Sequence, residues 1–381
     1  MSIYHYLILI PILLGTVFWM AGTLCVAIFM GSKRKAVEDH EPNRFAPPVS
    51  LIKPVCGLEK NLFANLATAG RQEYQNYEVI YTVQRRDDPA LKVLAKIRAD
   101  YPQDNIQVVV DESEVGSNGK VSNIYNGSLR ARGEILAISD SDMFLEPDYL
   151  KTIVAPLADP NVGIACTLYQ AWKPGNIYEA LELLTYNSDF VPSMLFAVMT
   201  KASIACPGAT MAIRREVLDD VGGLKPLGNY FVEDFELGRR VVAKGYRIAL
   251  IPYVAKMDVD CKTFHDWWRH QVYWDQNTKS VNFAGFFFTL LIRGVPFALL
   301  YVLCGGPYGW QVLAGAIGMR IITGILNARL LNDTDGLRFI GLLPLKDLLG
   351  ILVWLASLLK KQTHWRGKTF ILKKGKMVEV K

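Results

Sequence analysis

The chain has 381 residues, of which 51% are hydrophobic, and its formal net charge is +6. The apolar content is high for a purely soluble enzyme, and the length allows one large domain with extra elements or two domains. The basic excess lies mainly in Lys33-Arg34-Lys35 and in the tail from Lys360, beside apolar segments, which favours anionic lipid headgroups over nucleic acid as partners. Six cysteines without a C-x-x-C pair disfavour a zinc site or a disulfide framework and indicate a reducing compartment.

The N-terminal segment is an apolar run from Leu7 to Met30 without a charged residue. A run of this length can cross a hydrocarbon core about 30 Å thick. A cleaved signal peptide is the alternative, but the run is long for one and lacks a basic start, so we predict a retained anchor over residues 1–30. The basic cluster that follows predicts, by the positive-inside rule, that the next part of the chain is cytosolic.

After a proline-containing linker over residues 31–48, strands and helices alternate. The spacing is typical of βαβ units and predicts an α/β domain with a mostly parallel sheet over residues 49–261. The predicted strands are 49–53, 78–83, 106–110, 135–138, 162–169, 209–214 and 247–251. The predicted helices are 62–69, 89–100, 120–132, 148–158, 178–186 and 233–244. No G-x-G-x-x-G follows the first strand, so a dinucleotide-binding domain has no support.

The fourth predicted strand runs directly into two carboxylates, Asp140 and Asp142, separated by one serine. If extended geometry continues through Ser141, both side chains point to the same side of the chain. They would then lie at the carboxyl edge of the sheet, where open α/β sheets bind ligands, and two hard oxygen donors there suit Mg²⁺ or Mn²⁺. A turn that caps the next helix is the alternative.

Three more polar stretches follow predicted strands or open predicted helices. The loop from Gly116 to Lys120 offers backbone N–H groups and a lysine to an anion, Asp87 or Asp88 suits a nucleobase or ribose, and a carboxylate in Phe231–Glu236 suits a general base. Each stretch also has a purely structural explanation. These explanations are a glycine-rich turn, a helix start before proline, and the preference of helix N-termini for acidic residues.

Residues 262–280 have an amphipathic pattern, with Phe264, Trp267, Trp268 and Val272 on one helical face. Aromatic residues beside a membrane segment predict a helix that lies in the membrane interface. An ordinary packed surface helix is the alternative.

Three apolar segments, 283–303, 311–326 and 341–359, form a predicted membrane region over residues 281–359. Arg293, Arg320 and Asp347 interrupt them, which is costly unless these side chains face protein, water or headgroups. Three full crossings would leave the basic tail, residues 360–381, outside the cell, against the positive-inside rule. We therefore expect one segment to be re-entrant or interfacial, either 283–303 or the segment that contains Asp347.

Seven short motifs occur in the order in which they occur in one known family. They are Ile52–Gly57, Gln84–Ala90, Asn118–Asn123, Ile138–Asp142, Pro207–Met211, Val232–Asp234 and Trp365–Gly367. Each motif alone is weak, but the series resembles the ceramide glucosyltransferase family and its bacterial relatives, including those acting in hopanoid glycolipid synthesis. The resemblance covers roughly residues 1–375.

The resemblance implies a GT-A type domain that transfers a sugar from a UDP-sugar to a lipid hydroxyl with inversion. It implies that Asp88 serves the uridine part, that Asp140 is associated with the metal with Asp142 beside it, and that Asp234 is the catalytic base. Together with Lys120, Asp88 and Asp140 are the predicted nucleotide-sugar-binding residues, and Asp140 and Asp142 are the predicted metal ligands.

The family motif Q/R-x-x-R-W, near the acceptor and the diphosphate, falls on His270-Gln271-Val272-Tyr273-Trp274. Tyr273 replaces the arginine and donates one hydrogen bond without a fixed charge. Either Arg269 or Lys279 then supplies the missing charge, or stabilisation of the diphosphate is weakened. Trp274 is retained, whereas His270 also fits an exposed polar position on the interfacial helix.

We predict a multi-pass membrane enzyme with a cytosolic catalytic domain, a UDP-sugar donor, a membrane-lipid acceptor, and a divalent cation. Glucose transfer to ceramide is the favoured reaction, and transfer of N-acetylglucosamine to a hopanoid or another lipid is the main alternative. A processive polysaccharide synthase is a second alternative, although it needs more membrane helices for a polymer channel. A degenerate, non-catalytic lipid-binding protein is the third, and Tyr273 is its best argument.

Overall fold

A computed structural model describes residues 2–32, 45–102, 105–204, 206–360, 362–365, 368–373 and 375–380. Lys33-Arg34-Lys35, most of the predicted linker, and Arg366 and Gly367 of the last motif lie outside the described residues. The strands are β1 Val49–Val55, β2 Tyr77–Val83, β3 Ile106–Val110, β4 Ile135–Ser139, β5 Met143–Phe144, β6 Val162–Ala171, β7 Thr210–Arg214, β8 Arg247–Met257, β9 Gln362–Trp365, β10 Lys368–Lys373 and β11 Lys376–Glu379.

The α-helices fall into two groups along the chain. Up to residue 243 they are α1 Ile3–Gly31, α2 Leu62–Ala67, α3 Ala90–Asp100, α4 Gly119–Ser128, α5 Tyr149–Val154, α6 Ile177–Thr185, α7 Val191–Met199, α8 Arg215–Asp220 and α9 Glu233–Ala243. The later ones are α10 Phe264–Val281, α11 Phe283–Leu291, α12 Gly294–Leu303, α13 Gly309–Leu330, α14 Thr334–Phe339 and α15 Leu343–Leu359. A π-helical turn, Tyr186–Phe190, joins α6 to α7.

Within the described residues, eight strands form one sheet in the order β3-β2-β1-β4-β7-β6-β8-β5. The pairs β3/β2, β2/β1, β1/β4 and β6/β8 are parallel, whereas β4/β7, β7/β6 and β8/β5 are antiparallel. All residues of β1 and β4 are buried, as expected for central strands that are covered on both faces. The predicted α/β class with a mostly parallel, mixed sheet is confirmed.

Alternation along the strands divides the core into two layers. Leu51 and Ala137 point into the cluster that contains α2, α3 and α5, whereas Ile52 and Leu136 point into the cluster with α4 and α9. The central strands are therefore enclosed between helices, whereas the edge strand β3 is partly exposed. Polar residues that follow these strands consequently meet at one edge.

Among the described residues, three helices are long and apolar enough to cross a membrane: α1, α13 and the continuous helical unit Thr334–Leu359. The pair α11 and α12 would add a fourth span, but it is bent by 50° at the break. This bend lies inside segment 283–303, one of the two segments for which we predict a re-entrant or interfacial position. The number and direction of the crossings stay predictions.

Helix α10 covers the predicted amphipathic segment, but part of its apolar face is internal. Trp267 and Val272 are buried against Leu181 of α6 and Val353 of α15. Phe264 is 44% exposed. The location of α10 in a membrane interface stays a prediction, with Phe264 rather than Trp267 available to contact lipid.

Several regular elements are not predicted by the sequence. They include helices α7, α8 and α14 and the short strand β5. The tail, for which the sequence indicates only a basic segment, forms an antiparallel sheet in the order β11-β10-β9.

Candidate active site

A cleft of about 420 Å³ opens at the carboxyl ends of β1, β4, β6 and β8. These strands contribute or precede Pro54, Asp140, Tyr169 and Met257. The complete lining is Pro54, Glu59, Asn118, Lys120, Asp140, Ser141, Asp142, Tyr169, Tyr186, Gly208, Ala209, Phe231, Val232, Glu233, Asp234, Met257, His270, Tyr273, Trp274, Asn277 and Met377. Most of the predicted site residues, drawn from distant parts of the chain, therefore share one cavity.

Asp140 and Asp142 are held by their backbone atoms at the end of β4. The N–H of Asp140 donates to the carbonyl of Ala209 at 2.9 Å, and the carbonyl of Asp142 accepts from the N–H of Asp258 at 3.0 Å. Both carboxylates line the same cleft. The extended geometry expected through Ser141 is not present, because β4 ends at Ser139 and Ser141 and Asp142 form a turn. The Oδ1 atom of Asp142 is buried and has no hydrogen-bond partner.

Burial raises the pKa of Asp142 well above its usual range, and the charges of Asp140 and Glu59 raise it further. Glu59 lies beside the pair and accepts a hydrogen bond from the Ser141 hydroxyl at 2.6 Å. Three carboxylates in one partly desolvated pocket repel one another, which indicates that a cation belongs there.

Lys120 supplies part of that charge. Its Nζ lies 2.7 Å from Oδ1 of Asp140 and 3.4 Å from Oε1 of Glu233. Although burial alone would lower it, the pKa of Lys120 is raised by Asp140 and Glu233, so the side chain remains charged. The lysine thus connects the metal-binding candidates to the start of α9.

Several backbone N–H groups of the predicted anion cradle before Lys120 already have partners within the protein. The N–H of Asn118 donates to Gly228 and that of Ser117 to Asn229, while the Asn118 side chain caps the N–H groups of Lys120 and Val121. These donors are therefore satisfied by the protein. From this loop, Asn118 and Lys120 line the cleft.

Asp234 stands in the first turn of α9 and approaches the loop at Gly208 closely. A Cβ atom at position 208 would lie 2.4 Å from Oδ2 of Asp234, so only glycine fits there. Burial and the charge of Glu233 raise the pKa of Asp234 to about 7, although Lys120 lowers it. A carboxylate with this pKa is suited to accept a proton near neutral pH.

The motif from His270 to Trp274 is organised by Glu182, a buried residue that the sequence did not single out. Glu182 lies 2.7 Å from Nδ1 of His270 and accepts from Gln271 at 2.7 Å. Although burial opposes the charged form, Glu182 raises the pKa of His270. The indole N–H of Trp274 donates to Nε2 of His270 at 3.3 Å. His270 and Trp274 line the cleft, whereas Gln271 is turned toward α6.

The structure shows which cationic side chains could supply the charge of the motif arginine that Tyr273 replaces. Nζ of Lys279 donates to the carbonyls of Ser357 at 2.8 Å and Leu358 at 2.9 Å, so it caps α15 and does not face the cleft. Arg269 is not among the lining residues. Of the lysines and arginines among the described residues, only Lys120 lines the cleft, so the suggestion that Arg269 or Lys279 replaces the arginine is not supported.

Asp88 has a different position from the other predicted site residues. Its carboxylate accepts from the N–H of Gly57 at 3.0 Å and of Ala90 at 2.9 Å, and it does not line the cleft. It ties the loop after β1 to the start of α3. Asp88 would therefore affect ligand binding by positioning the loop at Gly57.

Lys53 is a further charge that the sequence analysis did not use. It is buried below the cleft, where its Nζ donates to Ser139 Oγ at 3.2 Å and to the carbonyl of Met143 at 3.1 Å. Burial lowers its pKa to about 8, partly offset by Asp142 and Asp140. The lysine in a buried, largely apolar strand is the sequence feature that could have identified this residue.

The donor set fits a divalent cation whose coordination is completed by a ligand. Across the described residues, no three His, Cys, Asp or Glu side chains form a metal-binding group by themselves. Mg²⁺ and Mn²⁺ at nucleotide sites commonly use one or two carboxylates together with phosphate oxygens and waters. Asp140 and Asp142, with the unpartnered Oδ1 atom, match that requirement.

The family model described as glycosyl transferase family 21 matches residues 12–378. The chain belongs to this family. Ceramide glucosyltransferase 1 of Caenorhabditis elegans is 25% identical over 217 residues, which cover 56% of this chain and 46% of that protein. The probable glycosyltransferase YdaM of Bacillus subtilis is 24% identical over 285 residues, covering 72% of this chain and 66% of that protein. The chain thus spans about half the length of the ceramide glucosyltransferase.

Among solved structures, a mannosyltransferase from Pyrobaculum calidifontis, in complex with GDP-Man and Mn²⁺, aligns with a TM-score of 0.48 at 19% identity. The alignment covers 91% of this chain and 99% of that chain. The sequence resemblance is confirmed at the level of the family, which is a glycosyltransferase family. With its mixed, mostly parallel sheet, the α/β domain is of the predicted GT-A type.

Proposed function

We propose that this protein is a membrane-bound glycosyltransferase that moves a sugar from a UDP-sugar to the hydroxyl of a membrane lipid, with inversion. The observation that carries the proposal is the single cleft, in which Lys120, Asp140, Asp142 and Asp234 meet aromatic side chains from the membrane-proximal half of the chain. Glucose is the favoured donor sugar and ceramide the favoured acceptor, because several relatives are ceramide glucosyltransferases.

The donor diphosphate would bind at the charged end of the cleft. Asp140 and Asp142 would hold Mg²⁺ or Mn²⁺, which when bound offsets negative charge on the diphosphate. Lys120 binds the same anion through its ammonium group. Asp88 fixes the loop at Gly57, beside which the uridine part would lie.

The acceptor hydroxyl would approach Asp234. In a single displacement, its oxygen forms the new bond to the anomeric carbon while the bond to the UDP oxygen breaks. Asp234 accepts the hydroxyl proton, for which a pKa of about 7 is well matched. Attack opposite to the leaving group inverts the anomeric configuration.

The acceptor would reach the site along the aromatic wall. Trp274 packs edge-on against Tyr186 and Phe190 at centroid distances of 5.0 and 5.3 Å. Rigid aromatic side chains of this kind suit an amphiphile whose headgroup is polar and whose remaining part is apolar. His270, which is bonded to Glu182 through Nδ1 and to the Trp274 indole through Nε2, holds Trp274 in this position.

The direct test uses the full chain in lipid nanodiscs with a divalent cation, a panel of UDP-sugars, and ceramide or total membrane lipid. Mass spectrometry of the lipid products identifies donor and acceptor together. Transfer of N-acetylglucosamine to a hopanoid would revise the substrates but keep the reaction class. UDP release without a lipid product, or no UDP release at all, would overturn the proposal.

Substitution of the proposed base, Asp234, is the most direct test of the mechanism. Asp234→Asn removes proton acceptance but keeps the shape of the side chain, so we expect transfer to fall by about 10³-fold or more. Binding of the UDP-sugar, measured by titration calorimetry, should change little. Asp220→Asn, at an exposed residue paired with Lys244, is the matched control and should retain full activity. Undiminished turnover in Asp234→Asn would remove Asp234 from the mechanism.

A further inference from the structure

The C-terminal sheet packs directly onto the segment that leads into Asp234. The N–H of Phe231 donates to the carbonyl of Gly375 at 2.9 Å, and the N–H of Met377 donates to the carbonyl of Asn229 at 2.8 Å. Tyr230 and Lys376 pair as an isolated antiparallel bridge. Segment 229–231 is therefore bound to the tail by main-chain hydrogen bonds.

Side chains strengthen the same contact. Phe231, Phe370 and Met377 form a buried cluster, with exposed fractions of 4%, 1% and 3%, and Tyr273 packs against it. The rings of Phe231 and Tyr273 lie 5.1 Å apart. Met377 also lines the cleft, so the tail supplies part of its wall.

The segment is held from its other side by the loop that precedes Lys120. The side-chain amide of Asn118 donates to the carbonyl of Tyr230 at 2.9 Å and to Oε2 of Glu233 at 3.1 Å. A Cβ atom at Gly228 would lie 2.5 Å from the carbonyl oxygen of Val115, which shows how closely the two loops approach. Residues 228–233 are consequently clamped between the Lys120 loop and the tail.

Helix α10 directs the tail toward this position. Lys279 caps the carbonyl end of α15, and the side-chain amide of Gln276 donates to the carbonyl of Gln362 at 3.1 Å. The chain that leaves the last apolar helix is thus held against α10 at Lys360 and at Gln362. The contact of Gln362 with α10 and the contacts of residues 375 and 377 with segment 229–231 hold the two ends of the tail.

We propose that the C-terminal sheet completes the acceptor end of the cleft, with Met377 contacting the apolar part of the acceptor next to its reacting hydroxyl. The wall formed by Met377, Phe231 and Tyr273 contains no charged side chain, so it suits hydrocarbon and not the diphosphate. An unbranched, polarizable thioether adapts to acceptors of different shape. This inference rests on the proposed lipid-directed transfer and names a residue that determines which acceptors are used.

The test compares two adjacent substitutions in the full chain. Met377→Ala should raise the KM for the lipid acceptor about tenfold, the loss expected when a largely buried apolar contact is removed. The affinity for the UDP-sugar should stay within about twofold, and Met377→Leu, which restores apolar volume, should recover most of the acceptor KM. Val378→Ala is the matched control, because Val378 is 45% exposed and does not line the cleft.

A second measurement does not depend on turnover. Hydrogen–deuterium exchange should show faster exchange of the Phe231 amide in Phe370→Ala than in Val378→Ala, because the buried cluster holds this segment. If wild-type protein transfers no sugar to lipid, the proposed function fails, and the exchange result still decides whether the tail holds segment 228–233. Equal acceptor KM values in Met377→Ala and Val378→Ala, or an equal loss of donor affinity, would overturn the assignment of Met377 to the acceptor.

Discussion

The molecule contains two clusters of buried charged side chains, and they differ in the balance of positive and negative charge. In the cleft, Lys53 and Lys120 face Asp140, Asp142, Asp234, Glu59 and Glu233. Among the apolar helices, Arg320 and Lys346 face Asp189 and Asp347. The cleft cluster has more carboxylates than lysines, whereas the helix cluster is balanced.

The helix cluster also has closed geometry. Arg320 donates to Asp347 at 2.9 Å and to Asp189, Lys346 bonds Asp189 as well, and the guanidinium lies over the ring of Trp19. The adjoining cavity, bounded by Gly15, Trp19 and Arg320, has a volume of only about 10 Å³. Arg320 and Asp347, two of the ionisable residues in the predicted membrane segments, thus form internal ion pairs that join the helices to the turn containing Asp189.

The difference between the two clusters distinguishes a ligand-binding site from a structural ion-pair cluster. A balanced cluster without space is already satisfied and acts as a structural contact between elements. An unbalanced cluster that borders a cavity of about 420 Å³, with an unpartnered carboxylate oxygen, has the donors and the space for a cation. Stability and activity should therefore respond in opposite directions to substitutions in the two clusters.

After Asp234→Asn, the largest effect is expected from Asp142→Asn in the cleft. This change removes one proposed metal ligand and should lower kcat by about 10²-fold or more. It also removes a charge that burial and Asp140 disfavour, so the melting temperature without metal should stay equal or rise by a few degrees. Activity at a range of Mn²⁺ concentrations and thermal unfolding in EDTA would measure both. A clear loss of stability with retained activity would show that Asp142 is structural.

The opposite result is expected from Arg320→Met in the helix cluster. Removal of one partner leaves Asp347 and Asp189 with Lys346 alone, which should lower the free energy of unfolding by about 3 kcal/mol or more. Activity per folded molecule should be retained, because this residue does not line the cleft. The double change Arg320→Met with Asp347→Leu should recover much of the stability, as measured by unfolding in detergent. No stability difference between single and double variants would argue against the ion pair.

Local patterns predicted the central strands and the residues at their ends. Strand β4 was predicted at 135–138 and found at Ile135–Ser139, because strands buried on both faces are continuously apolar. Parallel strands end at one edge, so Asp140 and Asp142 could be placed at a ligand site from their positions alone. Asp234 required the family resemblance, since acidic residues are common at helix starts.

The partners of these residues could not be predicted, because they depend on packing between distant segments. Glu182 reaches His270 across 88 positions of sequence, and Lys279 caps a helix that begins more than sixty residues later. The tail has weak apolar patterning and many lysines, so neither its strands nor its contacts with Phe231 and Asn229 could be predicted from the sequence. The insertion of the antiparallel strand β7 between β4 and β6 likewise has no local signal.

The pH dependence gives the smallest predicted effect and compares the same two clusters. Burial and the charge of Glu233 raise the pKa of Asp234 to about 7, so its base form is lost as the pH falls through that value. We expect kcat/KM to decrease about tenfold per pH unit below pH 7 and to level off above it. Glu233→Gln removes a like charge and should move this limb to lower pH, whereas Arg320→Met in the other cluster should leave it in place. Initial rates from pH 5.5 to 8.5 at saturating metal would measure the limb, and equal limbs in wild type and Glu233→Gln would mean that another group controls it.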